Sequence, residues 1–94
     1  MSYPTSIYCV FSNDLETLKK LSIDEIKQCD DMGRNVLHAI CSTGNSIMIN
    51  YVLQKLGNDA REMANSTDNK GRTPAHYAAG LNWEKSKYWE RNEE

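Results

Sequence analysis

Apolar residues recur early in the chain at helical spacing, with Ile7, Val10 and Phe11 three and four apart and Leu15, Leu18 and Leu21 three apart. Each set makes one apolar stripe, so the pattern predicts two short helices. Asn13, between them, is the expected turn former and cap. Ser22-Ile23-Asp24-Glu25 has capping-box spacing and predicts a single helical turn before Asp30. Asn35 and Thr73 predict two further helix starts, and Pro74 follows Thr73 at the first helical position, where a missing N–H costs nothing. The stretch Ile47 to Leu56 is apolar over most of its circumference and runs into Gly57, which predicts the most buried helix of the chain. Its later counterpart, Trp83 to Glu94, carries Lys87, Glu90 and Arg91 where the earlier stretch has Ile49, Val52 and Leu53. Those side chains cannot face another packed layer, so a C-terminal cap is expected there. Trp83, Tyr88 and Trp89 either cover the inner edge of the core or form an apolar docking patch.

The pattern repeats. Asp30-Asp31-Met32-Gly33-Arg34-Asn35-Val36-Leu37-His38-Ala39-Ile40-Cys41 aligns with Asp68-Asn69-Lys70-Gly71-Arg72-Thr73-Pro74-Ala75-His76-Tyr77-Ala78-Ala79. Asp, Gly, Arg and His match, and both the glycines and the histidines lie 38 residues apart. A fixed offset of this size marks a repeated helical unit.

At these residues the chain resembles the ankyrin repeat family, whose unit reads D-x-x-G-x-T-P-L-H-x-A-A. Thr73-Pro74-Ala75-His76-Tyr77-Ala78-Ala79 is close to that signature, and Asn35-Val36-Leu37-His38 is a milder match. The usual unit is about 33 residues, and the excess of about five falls in Gly57 to Met63, expected to be a loop. Residues 7–21 look like a degenerate first unit. The resemblance implies an all-α fold: a short solenoid of about three helix-turn-helix units with β-turn or hairpin-like tips. It divides a single domain into an N-terminal capping unit at about 5–29, a complete repeat with its insertion at 30–67 and a C-terminal capping repeat at 68–94.

With 94 residues the chain supports one domain near the lower end of autonomous stability. A net charge of -2 without a long basic run argues against nucleic acid as the main ligand. No stretch reads as a membrane span or a signal peptide. Three cysteines at irregular spacing form no disulfide framework, so a reducing compartment, cytosol or nucleus, is expected.

His38 and His76 together with Cys9, Cys29 and Cys41 invite a metal or nucleophile reading, but the chain has neither a C-x-x-C pair nor an H-x-x-x-H pair. The resemblance implies instead that each histidine is structural, bonding back toward the preceding turn. Asn35 stands where the family has threonine, so the usual hydroxyl of that network is absent. Gly33 and Gly71 are expected at positive φ in tight turns. No catalytic residue, metal or cofactor is expected, and the chain reads as a non-enzyme.

The resemblance further implies that variable positions at the turn tips and along the concave helix face contact a partner protein. Here these are Asp31, Met32, Arg34, Ser42 and Thr43 in one unit, and Asn69, Lys70, Arg72, Gly80 and Leu81 in the next. Met32 and Leu81 are apolar at places expected to be solvated. Arg34 and Arg72 either pair with acidic groups of the partner or bond their own Asp-containing turns. The expected function is a non-catalytic protein–protein interaction module. The alternative is a permanent structural subunit of a larger multiprotein complex, since three units are about the fewest that stand alone.

Overall fold

The computed structural model describes residues 3–81 and 83. Seven helices lie among them: α1 (Thr5–Phe11), α2 (Leu15–Lys19), α3 (Ile23–Ile26), α4 (Val36–Thr43), α5 (Ser46–Leu56), α6 (Asp59–Ala64) and α7 (Pro74–Ala78). There is no strand among the described residues. The expected second helix from Trp83 to Glu94 lies outside them apart from Trp83, as do Lys87, Tyr88, Trp89, Glu90 and Arg91.

Local chemistry explains where most helices begin. Asn13 turns the chain at φ 57, but the cap of α2 is the next residue, Asp14, whose carboxylate accepts the Thr17 amide at 3.1 Å and the Thr17 hydroxyl at 2.7 Å. A carboxylate at this end also meets the positive pole of the helix, an advantage the neutral Asn13 amide lacks. Ser22 and Glu25 close the expected capping box over the single turn of α3. Asn35 caps α4 by accepting the Leu37 and His38 amides at 2.8 and 3.1 Å. Asn45 caps α5 through the Met48 amide at 3.0 Å, and α5 ends at Gly57, whose N–H reaches the Leu53 carbonyl.

The packing corrects one expectation from the pattern. The most buried helix is α4, in which Val36, Leu37, His38, Ala39 and Ile40 are consecutively buried. It lies between α1 and α7, so both flanks are covered as well as the side toward α5. By contrast α5 buries only Met48, Val52 and Leu56, a stripe at a spacing of four, and leaves Ile47 67% exposed. An apolar circumference reports what a helix can bury; the number of neighbours decides what it does bury.

A second correction concerns Gly57 to Met63, expected as a loop. The segment contains α6, whose Met63 joins the core and whose Ala60 packs against it. Ala, Arg, Glu and Met all have high helix propensity, and two apolar side chains give the turn a face to bury. The core thus runs from Ile7, Val10 and Leu18 through Ile26, Val36, Leu37 and Ile40 to Met48, Val52, Leu56 and Met63.

Candidate functional site

The two aligned segments form the same turn. In the first, the Asp30 amide donates to the Arg34 carbonyl at 2.9 Å and the Gly33 amide to the Asp30 carbonyl at 3.0 Å. One Asp30 carboxylate oxygen accepts the Met32 and Arg34 amides, and the other accepts Arg34 Nε, all at 2.9 Å. Asp68 repeats the scheme with Gly71, Lys70 and Arg72, at 2.8–2.9 Å throughout. In both turns aspartate therefore supplies the acceptors that a reversing backbone leaves short. Gly33 and Gly71 each have φ 78, the left-handed region that glycine enters without a Cβ penalty.

The turns are also joined to each other. The Asn69 amide donates to the Met32 carbonyl at 2.8 Å and the Asn69 side chain to the Asp31 carbonyl at 3.3 Å. A Cβ on Gly33 would lie 2.7 Å from Asn69 Oδ1 and 3.3 Å from the Asn69 backbone nitrogen, so a methyl there would have to push the Asn69 side chain aside. The hairpin-like tips thus form a ladder of bonded turns.

His38 is fully buried behind this ladder. Its Nδ1 accepts the Asn35 amide at 3.0 Å, which leaves the proton on Nε2, and Nε2–H donates to the Arg72 carbonyl at 3.0 Å. The expected bond back to its own turn is present, but the second bond runs forward to the following tip. Burial pushes the His38 pKa below its ordinary 6.5, opposed by the Arg72 carbonyl and the charges of Asp68 and Asp30 and assisted by that of Arg34. Asn35 Oδ1 lies 3.1 Å from Nδ1, yet both are acceptors, so the family's hydroxyl bond is not reproduced. The amide of Asn35 does something a hydroxyl of threonine is too short to do: Nδ2 donates to the Met63 carbonyl at 3.1 Å and ties α6 to the start of α4.

The second turn has a further partner. The Tyr77 hydroxyl donates to Asp68 Oδ2 at 2.6 Å. Burial raises the Asp68 pKa, but the bonds from Tyr77, the Arg72 and Lys70 amides and the Arg72 side chain outweigh it and hold the carboxyl well below its usual range. The Tyr77 hydroxyl is pushed up to about 12 by burial and by that same bond.

The candidate contact residues divide clearly. Asp31, Asn69 and Lys70 are exposed at the tips and Met32 is half-buried beside them. Ser42 and Thr43 lie in the last turn of α4, half-buried and exposed, while Gly80 and Leu81 occupy the matching places after α7, exposed and half-buried. Arg72 is half-buried. Arg34 must be corrected as a surface residue: its side chain is 0% exposed, pairs with Asp30 and lies beneath Trp83, whose ring centroid is 3.6 Å from Cζ. Of the two alternatives for the arginines, bonding to their own turns is what the geometry shows.

Trp83 covers the core, packing on Phe11, Tyr77 and Tyr3 with centroids 4.8, 5.6 and 6.2 Å away, and Nε1 donates to the Tyr3 hydroxyl at 3.1 Å. Nothing in the spacing pointed to this contact, because Tyr3 is 80 residues away. Cys41, three residues after His38, has its thiol pKa raised by burial, the reverse of what activates a nucleophile. Among the described residues no group of three or more His, Cys, Asp or Glu is placed to hold a metal ion, and no helix is long and apolar enough to cross a membrane.

No curated protein matches the chain. A family model for ankyrin repeats, in three copies, matches residues 6–86. That span takes in both bonded turns, their histidines and the degenerate first helix pair, so the chain belongs to the ankyrin repeat family.

Proposed function

We propose that this chain is a protein-binding module without catalytic activity of its own, engaging its partner through the turn tips and the adjoining helix face. Ankyrin repeats generally bind other proteins and are typically non-catalytic. The observation that carries the reading for this chain is the bonded ladder of tips. Asp31, Met32, Asn69 and Lys70 are side chains on two turns fixed to each other by the Asn69–Met32 bond, so little backbone entropy remains to be lost on binding. Three free cysteines, one of them exposed, favour a reducing cytosolic or nuclear setting. Photo-crosslinking from Asn69 in cell extract, comparing the parent with a Met32→Glu/Lys70→Glu variant of equal helicity and melting temperature, tests the site. A crosslinked protein absent from the variant is expected; an equal yield from both excludes the tips.

A second reading, a permanent subunit of a larger assembly, is favoured by one observation. Ile47 and Leu53 of α5 are exposed, and an apolar groove of ≈ 340 Å³ runs past Ile40, Cys41, Ile49 and Ala78. On that reading the lone purified chain unfolds without a cooperative transition; a sharp melt removes it.

A further inference from the structure

The two bonded turns differ by one hydrogen-bond donor. In the second, every amide from Asp68 to Arg72 is engaged: those of Asp68, Lys70, Gly71 and Arg72 within the turn, and that of Asn69 across to the Met32 carbonyl. In the first, the amides of Asp30, Met32, Gly33 and Arg34 are engaged in the same way. The amide of Asp31, which the 38-residue offset aligns with Asn69, has no partner among the described residues. Its carboxylate has none among them either, and Asp31 is exposed.

Asn69 shows what that amide is placed to do. The second tip donates backward along the chain, Asn69 N–H to the Met32 carbonyl at 2.8 Å and Asn69 Nδ2 to the Asp31 carbonyl at 3.3 Å. Because both turns share one hydrogen-bond scheme, the equivalent bond from Asp31 runs toward the first helix pair. There the described chain enters α1 through Tyr3 and Pro4, and the described residues form no such turn. The Asp31 donor therefore stands at the end of the ladder, on a turn held by Asp30 and by the second tip.

One difference sets the chemistry of what fits there. Where Asn69 presents a second donor, Asp31 presents a carboxylate. A segment offering two bare carbonyls, as the first tip offers the second, would set an oxygen against that negative charge. One carbonyl with a cation beside it satisfies both groups, and a guanidinium meets a carboxylate with two parallel N–H bonds. The nearby charges are otherwise balanced, Asp30 by Arg34 and Asp59 by Lys27.

We propose that the Asp31 edge is where the ladder of tips continues into the partner: Asp31 N–H donates to a main-chain carbonyl of a partner segment, and the Asp31 carboxylate binds an arginine beside that carbonyl. This rests on the protein-binding reading and names the chemistry of the segment bound. Main-chain pairing fixes the register, as in strand addition at an open sheet edge, and the carboxylate selects the side chain.

The test is NMR of the full, isotope-labelled chain titrated with acetyl-Gly-Arg-Gly-amide and with its citrulline analogue, which has the same shape and no charge. The arginine peptide should move the Asp31 amide proton downfield in a saturable way, the signature of a new N–H···O=C bond, and the citrulline peptide should bind about fivefold more weakly. Asp31→Asn keeps the turn, because Asn69 already holds that place in the second one, and should bind both peptides alike. No shift at Asp31, equal binding of the two peptides by the parent, or an arginine preference that survives Asp31→Asn overturns the proposal. If it fails while crosslinking from Asn69 persists, the tip-binding reading stands without it; loss of both removes that reading too.

Discussion

The turns at Asp30 and Asp68 share sequence pattern, hydrogen-bond scheme and bond lengths, yet they stand in different surroundings. The Asp30–Arg34 pair is 0% exposed on both sides, whereas Arg72 keeps 16% of its side-chain surface and leans toward Tyr77. The first turn has a neighbouring turn bonded to it through Asn69 and an aromatic cover over its arginine. The second has the Tyr77 hydroxyl on its carboxylate. The comparison teaches that the local code builds the turn and that what packs on it next decides the cost of losing it.

The largest contrast should come from the carboxylates. Asp30→Ala strands a buried guanidinium and is expected to cost about 3–5 kcal/mol. Asp68→Ala leaves Arg72 with access to water and should cost less, about 2 kcal/mol. Urea denaturation of the two variants measures the difference, and equal losses break the comparison. Next come the histidines: His38→Ala removes two buried bonds and leaves a cavity, about 2–4 kcal/mol, while His76→Ala, at an exposed site, should cost under about 1 kcal/mol. A smaller effect separates the glycines. Both Gly→Ala changes strain φ, by about 1–2 kcal/mol, but only at Gly33 does the new methyl also collide with Asn69, so Gly33→Ala should melt lower than Gly71→Ala.

The smallest effect expected is the pH dependence that His38 contributes. The folded-state pKa of His38 is depressed, so the unfolded chain takes up the proton first. Stability is therefore full above 6.5 and declines as pH falls through that value toward the folded pKa. Protonation of Nδ1 would also remove the acceptor for the Asn35 amide. The slope should vanish in His38→Ala and persist in His76→Ala. At the other extreme Tyr77, raised from 10 to about 12, makes stability fall as pH rises across that interval, and Tyr77→Phe should abolish this.

Much of this arrangement was legible in the sequence because it is local. The offset between Gly33 and Gly71, the caps at Asn35 and Thr73 and the box at Ser22–Glu25 all act within a few residues, so spacing alone specifies them. The ranking of α4 and α5 was not legible: both are apolar, and only stacking between α1 and α7 buries the run from Val36 to Ile40 in one of them. Arg34 shows the same limit at the site. Its place in the turn follows from the repeat, but its burial depends on Trp83, a residue with no periodic relation to it. The helix at Asp59–Ala64 was hidden because an excess over the repeat length says where residues are added and nothing about the form they take.

The bonds from Asn69 N–H to the Met32 carbonyl and from His38 Nε2 to the Arg72 carbonyl bear on time as well as on geometry. Each repeat of a solenoid touches only its neighbours, so the units are free in principle to open one by one. Here the third unit cannot peel away without breaking the hydrogen bond donated by the Asn69 amide of its own tip and the one donated by the His38 ring of the middle unit. The amide hydrogen of Asn69 is consequently a clock for separation of two repeats: its exchange with deuterated solvent should keep pace with the core amides of α4 and lag behind other amides at the same exposed turn.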